Sequence, residues 1–67
     1  MKNVVKYLRR SKDFDMTQEE LGKKIGVSKA TISAIENGGN PSAKIMLKIA
    51  EVFNKDPREI FFLDDVI

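Results

Sequence analysis

An all-α domain of five short helices is the fold the sequence predicts, and three observations carry that reading. Apolar residues recur at spacings of three and four and nowhere alternate as a strand would require. Good N-cap residues, Thr17, Ser28, Ser42 and Asp56, stand just before four of the five apolar stretches. The segments between them are short breakers such as Gly26 and the run Gly38, Gly39, Asn40, Pro41. With 67 residues the chain is expected to form one domain over 1–67. At this size a fold buries only about 60% of the surface its unfolded chain exposes, so the core is small.

The first helix is expected over about 3–12, with Val4, Val5 and Leu8 on one face, and Asp13, Phe14, Asp15 and Met16 break it. Thr17 with Glu20 is a capping box that opens a second helix over about 18–25, whose Leu21 and Ile25 face the core. Gly26 stands where a left-handed residue ends a helix. Ser28 then caps a third helix over about 29–37, with Ile32 and Ile35 inward. Ser42 caps a fourth over about 43–53, whose inward positions are read as Ala43, Met46, Leu47, Ala50 and Phe53. Asp56, Pro57 and Glu59 form another start signal, for a fifth helix over about 57–63.

Composition narrows the chemistry. There is no Cys and no His, which excludes disulfides, thiolate or imidazole metal sites, and Ser/His or Cys/His nucleophile pairs. No paired acid and base suggests a catalytic cleft, so no enzyme activity and no cofactor are expected. Hydrophobic residues at 42% and charged residues at 33% describe a globular chain, not a disordered one. The longest apolar run is four residues, Ile60 to Leu63, and the chain's start lacks a signal peptide's apolar stretch, so a cytoplasmic protein without a membrane span is expected. The net charge of +2 is unevenly spread. Residues 1–50 carry ten Lys/Arg against five Asp/Glu, a net +5, and residues 51–67 carry two against five, a net −3. A basic front of this kind suits a polyanion, although a solvated surface reads the same way.

From about 17 to 37 the order is helix, tight glycine turn, capped short helix, and then a glycine loop, the helix-turn-helix arrangement. So short a turn forces the helices to cross steeply, which calls for a small residue such as Gly22 at the crossing and apolar Leu21, Ile25, Val27, Ile32 and Ile35 beneath. The remaining face of the third helix carries Lys29, Ala30, Thr31, Ser33 and Ala34, which no core needs, on an element narrow enough for a major groove.

Residues Thr17 to Leu21, Ile25 to Ser28, Thr31 to Ser33, Ile35 to Gly38, Asn40 to Ser42 and Leu47 to Ala50 together resemble the phage-repressor and Cro family of helix-turn-helix proteins. The likeness covers about residues 4–62. It implies a compact five-helix, lambda-repressor-like domain, and a transcriptional regulator, usually a repressor, that binds a palindromic double-stranded DNA operator as a homodimer. Position by position, it implies base contacts from Lys29, Ala30, Thr31, Ser33 and Ala34. It implies phosphate contacts from Gln18, Ser28, Asn37, Gly38, Gly39, Asn40 and Lys44, with Lys48 either a further one or part of a solvated face. It also implies a structural ion pair between Arg9 and Glu36.

Two features depart from the family pattern. Two of the base-reading positions are alanine, which can pack only on a thymine methyl, so hydrogen-bonded readout falls mainly to Lys29 and specificity leans on DNA shape. The first loop, Asp13 to Met16, is about two residues longer than usual and adds two acidic groups, so it is expected to face away from DNA. The apolar tail over 60–67 exceeds what one short helix can bury, and Phe61, Phe62, Leu63, Val66 and Ile67 are expected at a dimer interface. The alternative reading is an antitoxin-type or other protein-interaction module that uses the same tail to hold a protein partner.

Overall fold

The computed structural model describes residues 1–63. It runs β1 (Lys2–Asn3), α1 (Val5–Arg10), α2 (Gln18–Ile25), α3 (Lys29–Glu36), α4 (Ala43–Phe53), a single 3-10 turn (Pro57–Glu59) and β2 (Phe61–Phe62). The fold is predominantly helical with four α-helices, so the expected fifth helix is corrected to one turn followed by a strand.

The reason lies at the chain's two ends. The capping box at Asp56 and Glu59 forms, with Asp56 N–H donating to Glu59 Oε1 at 3.1 Å. Beyond it the backbone turns extended, because β2 pairs antiparallel with β1 in the register Lys2 to Phe62 and Asn3 to Phe61. Val4 N–H continues the clasp by donating to Ile60 O at 3.0 Å. The same pairing removes residue 3 from the first helix, which starts at Val5, where Asn3 Oδ1 accepts the Val5 N–H at 3.1 Å. At its other end Ser11 Oγ donates to Leu8 O at 2.7 Å and the backbone there is extended, so α1 stops two residues short of the expected 12.

The central helices follow their caps. Thr17 Oγ1 accepts the Glu20 N–H at 3.0 Å while Thr17 N–H donates to Glu20 Oε1 at 2.8 Å. Ser28 and Ser42 accept from Thr31 and Ile45 in the same way. Gly26 ends α2 at φ 80°, the left-handed conformation glycine adopts without steric cost. Gly22 is buried at the crossing of α2 and α3, the most extensive helix contact in the fold. A Cβ there would stand 2.6 Å from the Val27 carbonyl oxygen, so only glycine permits this approach.

Leu21, Ile32, Ile49, Ile60 and Val5 form the centre of the core, and Phe14 packs edge-on against Phe53 with ring centroids 4.9 Å apart. The inward face of α4 differs from the expected one. Ile49, Ala50 and Phe53 are buried with Met46 packed against them, whereas Ala43 is exposed and Leu47 is 62% exposed. The stripe 46, 49, 50, 53 has the same three-and-four spacing as the expected one and brings in the larger Ile49, so the helix is rotated toward it.

Candidate nucleic-acid interface

α3 presents its outward face from a well-braced position. Lys29, Ala30 and Ala34 are exposed, and Thr31 and Ser33 are half-buried at its edge. The Thr31 hydroxyl shares a hydrogen bond of 3.0 Å with Ser28 Oγ, so both belong first to the helix cap. Among the five positions, Lys29 carries the long, freely projecting donor.

The C-terminal end of α3 is fixed by a buried network. Arg9 Nε donates to Glu36 Oε2 at 2.7 Å and Arg9 Nη2 to Glu36 Oε1 at 3.1 Å, a bidentate pair whose side chains are 9% and 3% exposed. Arg9 Nη1 also donates to Met16 O at 2.8 Å, tying the first loop to the same centre. Gln18 Nε2 donates to Glu36 Oε1 at 3.0 Å, so one amide hydrogen braces α3 and the second remains for another acceptor. Asn3, which no sequence motif singles out, adds a contact from Nδ2 to Ile35 O at 2.8 Å.

The loop after α3 is arranged differently from the expectation. The N–H groups of Asn37, Gly38 and Gly39 donate within the protein to Ser33 O, Ile35 O and Ala34 O at 3.0, 3.0 and 2.9 Å. They close the helix and are not offered to phosphate, which corrects the role expected of Gly38 and Gly39. Their glycines are needed for the fold itself: Gly38 lies at φ 103°, and a Cβ on Gly39 would stand 2.8 Å from Ala34 O. The exposed side chains of Asn37 and Asn40 are what the loop can present. Asn40 Oδ1 accepts from the Met1 ammonium at 3.0 Å, and Gly38 O accepts from it at 2.7 Å. With the Oδ1 so engaged, the Asn40 Nδ2 is the group left to donate. Lys44 is exposed, whereas Lys48 Nζ donates to Ile25 O at 3.3 Å, a cation at the C-terminal end of α2 where the helix dipole favours it.

At the other end of α3 an open cleft is lined by Arg10, Asp15, Thr17, Gln18 and Lys29. Asp15, expected to face away, therefore shares a surface with Gln18 and Lys29, because the longer loop folds back at φ 44° onto the start of α2. Glu20, in the first turn of α2, has its carboxyl held below the ordinary carboxylate range by the Thr17 N–H it accepts and then by the Thr17 hydroxyl. No group of three carboxylates that could hold a metal occurs among the described residues.

The tail residues divide. Phe61 is 8% exposed and belongs to the core of its own chain, which corrects its expected place at a dimer interface. Phe62 and Leu63 are 40% and 68% exposed, and Val66 and Ile67 lie outside the described residues. No helix among the described residues is long and apolar enough to cross a membrane.

Comparison with known proteins agrees with this geometry. Residues 5–60 match the helix-turn-helix family. An uncharacterized HTH-type transcriptional regulator of Archaeoglobus fulgidus is 51% identical over 53 residues, 78% of this chain and 75% of its own. Another, of Methanocaldococcus jannaschii, is 47% identical over 66 residues, covering 97% of each chain. The uncharacterized HTH-type transcriptional regulator YgzD of Bacillus subtilis is 41% identical over the same 97% of each. With a glycine-turned α2–α3 unit at its centre and these relatives along nearly its whole length, the chain belongs to the phage-repressor and Cro type of the helix-turn-helix transcriptional regulators.

Proposed function

We propose that the protein binds double-stranded DNA sequence-specifically and acts as a transcriptional repressor, with α3 in the major groove. The observation that carries this reading is the pairing of an outward face of small groups and one cation, Ala30, Ala34 and Lys29, with an unusually rigid mounting through Arg9, Glu36 and Gln18. The buried mounting holds the C-terminal end of α3 while leaving its outward face clear. Lys29 donates to guanine O6 or N7, and the two alanines leave room for thymine methyl groups. Gln18 through its second amide hydrogen, Ser28, Asn37, Asn40 and Lys44 touch phosphates and fix the register.

Two copies related by a two-fold axis set their recognition helices about 34 Å apart, one turn of duplex, on a palindromic operator. The exposed apolar side chains of Leu47, Phe62 and Leu63 support a homodimer. The test is a titration of Lys29→Ala and Gln18→Ala against selected and scrambled duplexes at several salt concentrations. Lys29→Ala should lose about 1–3 kcal/mol on the selected duplex and relax preference at one base pair per half-site. Gln18→Ala should weaken binding to every duplex alike. A parent protein without salt-dependent affinity for any duplex would refute the reading.

A further inference from the structure

Asp15 lines a cleft together with residues that the proposed DNA contact uses. It lines the cleft formed with Arg10, Thr17, Gln18 and Lys29, at the start of α2 and beside the first residue of α3. Its backbone, at φ 44°, lies in the left-handed region that few side chains adopt. The loop holds it there: Asp15 N–H donates to Ser11 O at 2.8 Å, Met16 N–H to Arg9 O at 2.8 Å, and Arg9 Nη1 to Met16 O at 2.8 Å. Asp15 is exposed, and its carboxylate has no hydrogen-bond or ion-pair partner among the described residues. Asp13, in the same loop and also exposed, is not on the cleft wall.

Resting on the DNA reading above, we infer that Asp15 is a specificity-determining residue, which disfavours a DNA phosphate at Lys29 and so steers Lys29 to a base edge. A carboxylate and a phosphate repel as two full charges within a Debye length of about 10 Å at 0.1 M salt. A base edge is neutral and meets the same carboxylate only through its dipoles, a weaker interaction. Sequence-independent binding is almost wholly phosphate electrostatics, so it bears the repulsion in every register. A complex with Lys29 on guanine O6 or N7 sets a neutral base edge at Lys29 and bears less of the repulsion, while the phosphate on Gln18 bears it in both kinds of complex. Without Asp15, Arg10 and Lys29 would together make the cleft a general phosphate site.

Asp15→Asn tests this, since Asn accepts the left-handed backbone readily and removes only the charge. Parent, Asp15→Asn and the control Asp13→Asn are titrated with a duplex recovered by selection and with a scrambled duplex of equal length. Asp15→Asn should bind the scrambled duplex about 3- to 10-fold more tightly and the selected one at most about twofold, so discrimination contracts. Asp13→Asn should shift both duplexes equally and by less than about twofold. Equal gains on both duplexes with Asp15→Asn, or no gain, in a protein that melts like the parent, overturn the inference and leave the DNA reading standing. A parent that binds neither duplex overturns the DNA reading and this inference with it.

Discussion

Replacing Glu36 with Gln removes the charge that faces Arg9 and leaves the guanidinium where it is, with side-chain exposure of only 9%. The substituted side chain keeps one neutral amide oxygen as an acceptor, and Met16 O remains at 2.8 Å, but neither balances the guanidinium charge. Breaking a buried pair in this way costs on the order of 3–5 kcal/mol, and the surviving carbonyl bond puts the expected value near the lower end, about 3 kcal/mol. At about 0.05–0.15 kcal/mol per residue the whole domain is stable by roughly 3–10 kcal/mol, so the loss is a large share of the total. For a domain of this size each 1 kcal/mol lowers Tm by about 4–8 °C, which predicts a fall of roughly 12–24 °C. Circular dichroism melts at one pH and concentration measure it. The double variant Arg9→Met with Glu36→Leu should regain most of the loss, because a well-packed apolar pair of similar volume is often as stable as the ion pair it replaces. A Glu36→Gln protein melting within about 4 °C of the parent would show the pair to behave as an exposed one, worth about 0–1 kcal/mol, and would refute the view that it mounts α3.

Gly22→Ala sets a Cβ 2.6 Å from the Val27 backbone carbonyl and should destabilise the domain by about 1–3 kcal/mol in urea melts despite alanine's better helix propensity. An unchanged midpoint would contradict the close crossing of α2 and α3. Glu20 and Asp56 both have carboxyls held below their ordinary values of 4.5 and 3.8, Glu20 chiefly by the Thr17 N–H and Asp56 chiefly by the Arg58 side chain. A lowered folded pKa contributes stability that is complete above the ordinary value and is lost as pH falls through the lowered one. Tm should therefore decline as pH drops below about 4.5, and Glu20→Gln should flatten the upper part of that decline; parallel curves for the two proteins would count against the cap. In sedimentation at micromolar concentration the intact chain should be a dimer and a version ending at Phe62 weaker or monomeric. Identical behaviour of the two would move the interface away from the tail.

The helices that carry the site were legible because their ends are written in local chemistry. Thr17 with Glu20, Gly26, Ser28 and Ser42 act on backbone groups within a few residues, and α2 and α4 begin and end where those signals stand. Two-residue strands carry no such signal. β1 and β2 exist because distant segments meet, which local spacing cannot show, so the sequence alone predicts a helix over about 57–63 and places Phe61 at a dimer interface. Spacing also could not choose between two overlapping apolar stripes on α4, and it misplaced Leu47. At the site, the resemblance implies phosphate contacts for Gly38 and Gly39, and only the fold reveals that Ile35 O and Ala34 O already accept their N–H groups. Asn3 and the Asp15 position were hidden for the same reason: each matters through what it is folded against.

Selection of duplexes from a random pool by the purified intact protein tests the DNA reading most directly. The expected result is enrichment of a palindrome whose half-site centres lie about one helical turn apart, with guanine at a position that becomes degenerate when the selection is repeated with Lys29→Ala. A pool that stays random through successive rounds, or an enriched site unaltered by Lys29→Ala, would contradict it.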